Sequence, residues 1–274
     1  MTNKLAVSFI LAFAVLTGAR ANQTSRDRVT EVVTAIQRSD YEGNRKALKE
    51  QYEQLTPFLE DKELASRVRY WRGFDLWRDA INGFNESADA AELERLLMKA
   101  VDEFKAALAV DAAFVDAKIG LISSLGYVAY IHREDKTRVQ ECIAQISPLI
   151  KEAKEAAPDN PRLAWVLGPV IWYTPPERGG GLDKVIENYE RGLEACAKSK
   201  PPSDPLDPSW GKPELLMSLG YAYFTKNPPD LVKAEQHARA AVEIVPYWHY
   251  ARDIILPQIV AAKNKDKAPT GNGP

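Results

Sequence analysis

"LMSLGYAYF", Leu216–Phe224, sets a glycine in the middle of an apolar, aromatic-rich run. The same arrangement recurs three times upstream. It is found in "YWRGFDLW" around Gly73, "AKIGLISSLG" around Gly120 and "AWVLGPVIWY" around Gly168. A small residue inside a helix lets a partner backbone come close, so each stretch reads as the first helix of a pair.

The second helices also align. "KAVDEFKAALAVDAAF" carries Ala100, Phe104 and Ala107, and "KVIENYERGLEA" carries Val185, Tyr189 and Gly192 at the same spacings. "KAEQHARAAVEIVP" places Ala234, Ala238 and Ala241 before Pro246, and "ISPLIKEAKEAAPDNP" places Ile146, Ile150 and Ala153 before Pro158. A proline just past the second helix cannot continue it and turns the chain into the next pair. Pro148 falls inside one second helix, where a kink is predicted.

These residues resemble the tetratricopeptide repeat (TPR), with its W-x2-L-G-x2-Y…A-x3-F…P signature. Leu167-Gly168 and Leu219-Gly220-Tyr221-Ala222-Tyr223 carry the match, and Phe104 and Tyr189 stand at the family's aromatic position. The likeness runs from about Ala65 to Tyr247. It implies an all-α fold, an α-solenoid of degenerate TPR-like helix hairpins. The departures are a glycine spacing of 47, 48 and 52 residues, against about 34 in the family. Longer helices or longer connectors are therefore predicted. Ala112 and Ala197 replace two of the terminal prolines. "RDRVTEVVTAIQR" and "NRKALKEQYEQLTPFLE" read as one more pair around a turn at Asp40–Gly43. "PYWHYARDIILPQIVAAK" reads as a C-terminal helix that caps the last apolar face.

The ends differ in character. "MTNKLAVSFILAFAVLTGARA" has Lys4, an apolar run from Leu5 to Leu16 and a small-residue end at Ala19-Arg20-Ala21. That is the pattern of a secretory signal peptide over residues 1–21. The run is shorter than the ~18 residues a membrane span requires, so no membrane insertion is expected after cleavage. The domain expected is 22–263, followed by a solvated, disordered tail over 264–274. An exported chain, periplasmic or secreted, would carry 34 cations against 38 anions. That balance lacks the cationic footprint of a nucleic-acid binder. With only Cys142 and Cys196, no disulfide-stapled framework is expected, and the two are predicted not to be bonded to each other.

Three glycines in "WYTPPERGGG", Trp172–Gly181, raise the possibility of a phosphate loop. No Lys-Ser or Lys-Thr follows them, and they lack the preceding strand and the third glycine of a G-x-G-x-x-G fingerprint, so they read as the reversal between two helices. The same stretch with "KVIENYERGLEA" resembles the TatT (T-component) proteins that accompany TRAP-type solute transporters. That resemblance implies a soluble periplasmic accessory or ligand-binding role, although the anchoring cysteine usual in that family is missing here. His132, His237 and His249 show no metal-ligand spacing, and no hydrolase elbow or zinc-protease motif is present. His237 reads as a solvated residue. No metal and no cofactor is expected, and the chain is read as not an enzyme.

The function expected is an exported scaffold that binds a protein or peptide partner, with the first helices lining a concave surface. The alternatives are a periplasmic carrier for a small apolar ligand and an enzyme with an unrecognised site. Positions three before each glycine, and one, four and five after it, share one helical stripe. The stripe gives Tyr70, Phe74, Trp77 and Arg78; then Trp165, Trp172 and Tyr173; then Tyr221 and Phe224. Around Gly120 it gives Ala117, Leu121, Ser124 and Leu125, which predicts a recess. Aromatics are favoured binding anchors, but the same spacing suits a core. In that second reading the C-terminal helix, with Tyr247, Trp248 and Tyr250, fills the groove.

Overall fold

The computed structural model describes residues 3–267, with side chains for 23–265. The expected signal peptide and most of the expected tail lie outside the described side chains. Helices α1 (Asn3–Glu42) and α2 (Arg45–Gln54) form the first pair. Four hairpins follow: α3 (Ala65–Asn85) with α4 (Ala90–Val110), α5 (Val115–Ile131) with α6 (Lys136–Ala156), α7 (Pro161–Tyr173) with α8 (Leu182–Lys198), and α9 (Lys212–Thr225) with α10 (Leu231–Ile244). A π-helical turn at Tyr250–Ile255 leads into α11 (Leu256–Lys267). Consecutive helices pack on one another from α1 to α6 and from α7 to α11, and α5 packs on α7 across the junction. The chain is an all-α solenoid of TPR-like helix hairpins.

Local sequence explains where the helices begin. Asn44, Asp89, Asp135, Asn160 and Asp230 each accept a hydrogen bond from the first turn of α2, α4, α6, α7 and α10 respectively. Such a cap contributes about 1 kcal/mol and fixes the helix start. Gly43, at φ +70°, makes the predicted turn between α1 and α2.

The repeat glycines do what their spacing implied. The Phe104 ring of α4 lies against both Gly73 of α3 and Gly120 of α5, so one aromatic wedges between two successive first helices. Tyr189 of α8 lies against Gly168, and Gly220 lies against Ala234 and Ala238 of α10. A Cβ at Gly120 or Gly168 would overlap these rings. Helices α3, α4 and α6 each run 21 residues, which accounts for the glycine spacings of 47 and 48. The spacing of 52 has a different source: residues 199–211, between α8 and α9, form an extended strap.

That strap enters the inside of the solenoid. Leu206 and Trp210 are buried in the main core. The Trp71 indole donates to the Leu206 carbonyl at 2.8 Å, and the Trp210 indole donates to the Tyr70 hydroxyl at 2.9 Å. Arg67 of α3 bridges to Asp207 of the strap at 2.7 Å, and Arg26 of α1 pairs with Asp204. The end of α1 closes the array from the other side. Tyr41 meets Trp248 edge-on at 5.1 Å and sits in a small cluster with Leu216, Ala241 and Ala251. Cys142 and Cys196 are both free thiols, as predicted.

Candidate functional site

The stripe read from the repeat glycines divides into a buried half and an open half. Tyr70, Phe74, Trp77 and Arg78 are all buried in the main core, the last at only 3 % exposed. Trp165 is half-buried beside them, with its indole donating to Ser218 at 3.0 Å. These residues are corrected from a binding surface to core. The filler is the strap's Trp210, whose ring lies 5.8 Å from Phe74, 5.6 Å from Trp77 and 5.7 Å from Trp165. Of the C-terminal residues expected to fill the groove, Trp248 packs on Tyr41 instead, while Tyr250 joins a cluster with Trp165, Trp172 and Phe224. The recess expected around Gly120 is also closed, because Ala117, Leu121, Ser124 and Leu125 are all buried.

Arg78 sits among these rings, 5.5 Å from the Trp165 ring centre and 5.6 Å from that of Trp77. Its Nε donates to Asp40 of α1 at 2.7 Å, and its Nη2 lies 3.8 Å from Glu214 of α9. Burial opposes its charge, but Asp40 and Glu214 outweigh that and raise its pKa. Glu214, fully enclosed, has its carboxyl pKa pushed up by burial, while Arg78 and the Tyr41 hydroxyl pull the other way. This buried cluster ties three helices together and offers no open face to a substrate.

The open half lies at the C-terminal ends of the first helices. Tyr173 ends α7 and is 73 % exposed, Tyr221 of α9 is 40 % exposed and Tyr130 of α5 is 44 % exposed. Trp172 and Phe224 are half-buried next to them. The Trp172 and Tyr221 rings lie 6.0 Å apart, and Phe84 at the end of α3 lies 5.3 Å from Tyr127 and 6.1 Å from Tyr130. Burial raises the pKa of Tyr127, Arg78 opposes the rise, and Tyr130 and Tyr173 add to it. Burial raises that of Tyr250 to about 12, with Tyr221 and Tyr127 contributing. Tyr127, Tyr130 and Phe84 escaped the sequence reading because its stripe stopped five residues after each glycine. On α5 the stripe also points elsewhere: Tyr130, ten residues past Gly120, lies on nearly the opposite helical face from Leu121 and Leu125. We call this aromatic ring of helix ends the mouth.

Other parts of the surface are already satisfied. A polar depression of about 900 Å³ includes Asp183, Tyr223, Lys226 and Lys233 in its lining. Lys226 pairs with Asp183 at 2.8 Å, and Lys233 lies 4.9 Å from the Tyr223 ring centre. His237, expected in solvent, instead stacks on Tyr223 with centroids 5.6 Å apart and rings 4° from parallel. Burial lowers its pKa. The triple glycine forms a turn: Gly179 and Gly181 have φ of +85° and +97°, and the Gly181 amide donates to the Ile171 carbonyl at 2.9 Å. Among the described residues, no cluster of three or more His, Cys, Asp or Glu could hold a metal ion. Nor is any helix there long and apolar enough to cross a membrane.

No family model matches the chain, and no curated protein is similar to it in sequence. Among solved structures, the crystal structure of yeast Tom70 is similar to it at 12 % identity and a TM-score of 0.36, over 96 % of this chain and 68 % of that one. A likeness of that size carries no argument about function.

Proposed function

We propose that the chain is an exported, non-catalytic TPR-like scaffold that binds a polypeptide partner at the mouth. The observation that supports this most is the exposure of Tyr130, Tyr173 and Tyr221 at the ends of first helices, the only exposed Phe, Trp or Tyr residues among the described side chains. Aromatics with apolar bodies and polar tips, held on rigid helix ends, are the residue types that anchor partners. They sit where a solenoid presents its inner helices. Export rests on the apolar segment and small-residue end of residues 1–21. The TatT-like accessory role is compatible with such a scaffold. The small-solute carrier reading gains no observation of its own.

A photoreactive phenylalanine at Tyr173 tests the proposal. It should cross-link to a polypeptide of the extracytoplasmic fraction. The same group at the exposed Val232, in α10, should not. Equal labelling from both sites, or none from Tyr173, would reject the mouth as the binding surface.

A further inference from the structure

The chemistry of the mouth selects among polypeptides. Four first helices, α3, α5, α7 and α9, deliver their C-terminal ends to it. None of the four has a basic residue in its last turn, and Lys226, at the C-cap of α9, is paired with Asp183. Each helix end carries a partial negative charge that a nearby cation would offset. The ring faces above those ends are electron-rich and also attract cations. Two independent features of one surface thus favour the same sign of charge.

The chain contains a small version of the contact. Arg133, in the loop after α5, holds its guanidinium 5.1 Å from the centre of the Tyr130 ring. Its Nη1 also donates to the Tyr130 carbonyl, in the last turn of α5, at 3.2 Å. One arginine therefore covers a mouth ring and a helix-end carbonyl together. At α7 and α9 the equivalent aromatics, Tyr173 and Tyr221, have no guanidinium over them among the described residues. The buried cation Arg78 is paired with Asp40 at 2.7 Å, with Glu214 3.8 Å away.

From this geometry we infer that the partner segment bears arginine, whose guanidinium stacks on Tyr173 and Tyr221 as Arg133 stacks on Tyr130. The inference rests on the proposed role of the mouth. Arginine suits the site better than lysine, because a planar guanidinium can stack on a ring and donate sideways to a carbonyl at once.

The test uses the mature chain and three Gly-Ser octapeptides, carrying two arginines, two citrullines or two lysines. Citrulline keeps the planar donors and removes the charge. Binding followed by amide and indole shifts in NMR should be at least tenfold tighter for the arginine peptide than for the citrulline peptide. The lysine peptide should fall between them. The preference should shrink as salt rises. A double Tyr173→Ala, Tyr221→Ala variant should lose the preference, and Tyr173→Phe with Tyr221→Phe, which keeps both ring faces, should retain it. Thermal melts of both variants establish that they fold. Equal affinity for arginine and citrulline peptides would overturn the inference. If the citrulline peptide still bound in a Tyr173-dependent way, the mouth would stand as a polypeptide site and only its charge preference would fall. An arginine preference that survived the double alanine variant would place the cation elsewhere and overturn it too.

Discussion

The Tyr41 hydroxyl donates to the Glu214 carboxylate at 2.7 Å, across 173 residues of sequence. The bond joins the end of α1 to the first turn of α9. Glu214 also accepts from the Gly211 amide at 2.8 Å, so its carboxylate both caps α9 and anchors α1. Tyr41→Phe removes one donor and leaves a buried acceptor underused. It should lower stability by about 1–3 kcal/mol in a denaturant titration. A change under about 0.5 kcal/mol would show that the closure does not depend on this bond.

Trp77 and Tyr173 came from one sequence stripe and should now behave oppositely. Trp77→Ala empties a core site and should cost about 3–5 kcal/mol. Tyr173→Ala should change stability by no more than about 0.5 kcal/mol, as befits an exposed side chain, while abolishing partner cross-linking. Comparable destabilisation by both would mean that the mouth is packed in solution.

Asp75 is buried, and neither of its carboxylate oxygens has a protein partner. Burial raises its pKa well above the usual value, and Asp79 and Asp40 raise it further. The folded chain therefore holds this proton at a pH where the unfolded chain, titrating near 4, has released it. Stability from this group is intact below about pH 4 and declines as pH rises towards the folded pKa. Asp75→Asn cannot ionise. Its melting temperature should match the parent near pH 4 and exceed it at pH 7, by about 1–2 kcal/mol or roughly 2–8 °C. A parent that gained on the variant with rising pH would contradict this sign.

In the glycine turn, a Cβ at Gly180 would collide with the Thr174 backbone, and Gly179 holds φ at +85°. Gly180→Ala should cost about 1–3 kcal/mol because the clashing atom is backbone and has little room to move. Arg178→Ala, at an exposed position, should change stability by under about 0.5 kcal/mol. The reverse order in thermal melts would remove the turn reading.

The hairpin array was legible because its signals are local and repeated. Gly73, Gly120, Gly168 and Gly220 announce backbone approaches, and Phe104 and Tyr189 stand where the approaching rings must be. The strap was not legible. Pro201, Pro202, Pro205 and Pro208 give no helical period, and nothing local says that Trp210 turns inward to meet Trp77 and Trp165. Helical spacing placed Tyr70 and Tyr173 on one stripe, but it cannot say which end of that stripe another segment will cover. Of the proposed mouth, the sequence stripe contained Trp172, Tyr173, Tyr221 and Phe224 and missed Tyr127, while Tyr250, expected in the groove, packs with Trp172 and Phe224.

The strap also changes what kind of mechanical object the chain is. An array of hairpins joined only to neighbours behaves as a spring: it stretches, twists and frays from either end. Here residues 199–211 and the end of α1 cross the coil and fasten α3 to α9. A spring tied across its diameter has lost its soft mode. The helix ends around Tyr173 and Tyr221 belong to that fastened frame, so a partner bound there, as proposed, would meet a rigid gauge and have to fit it.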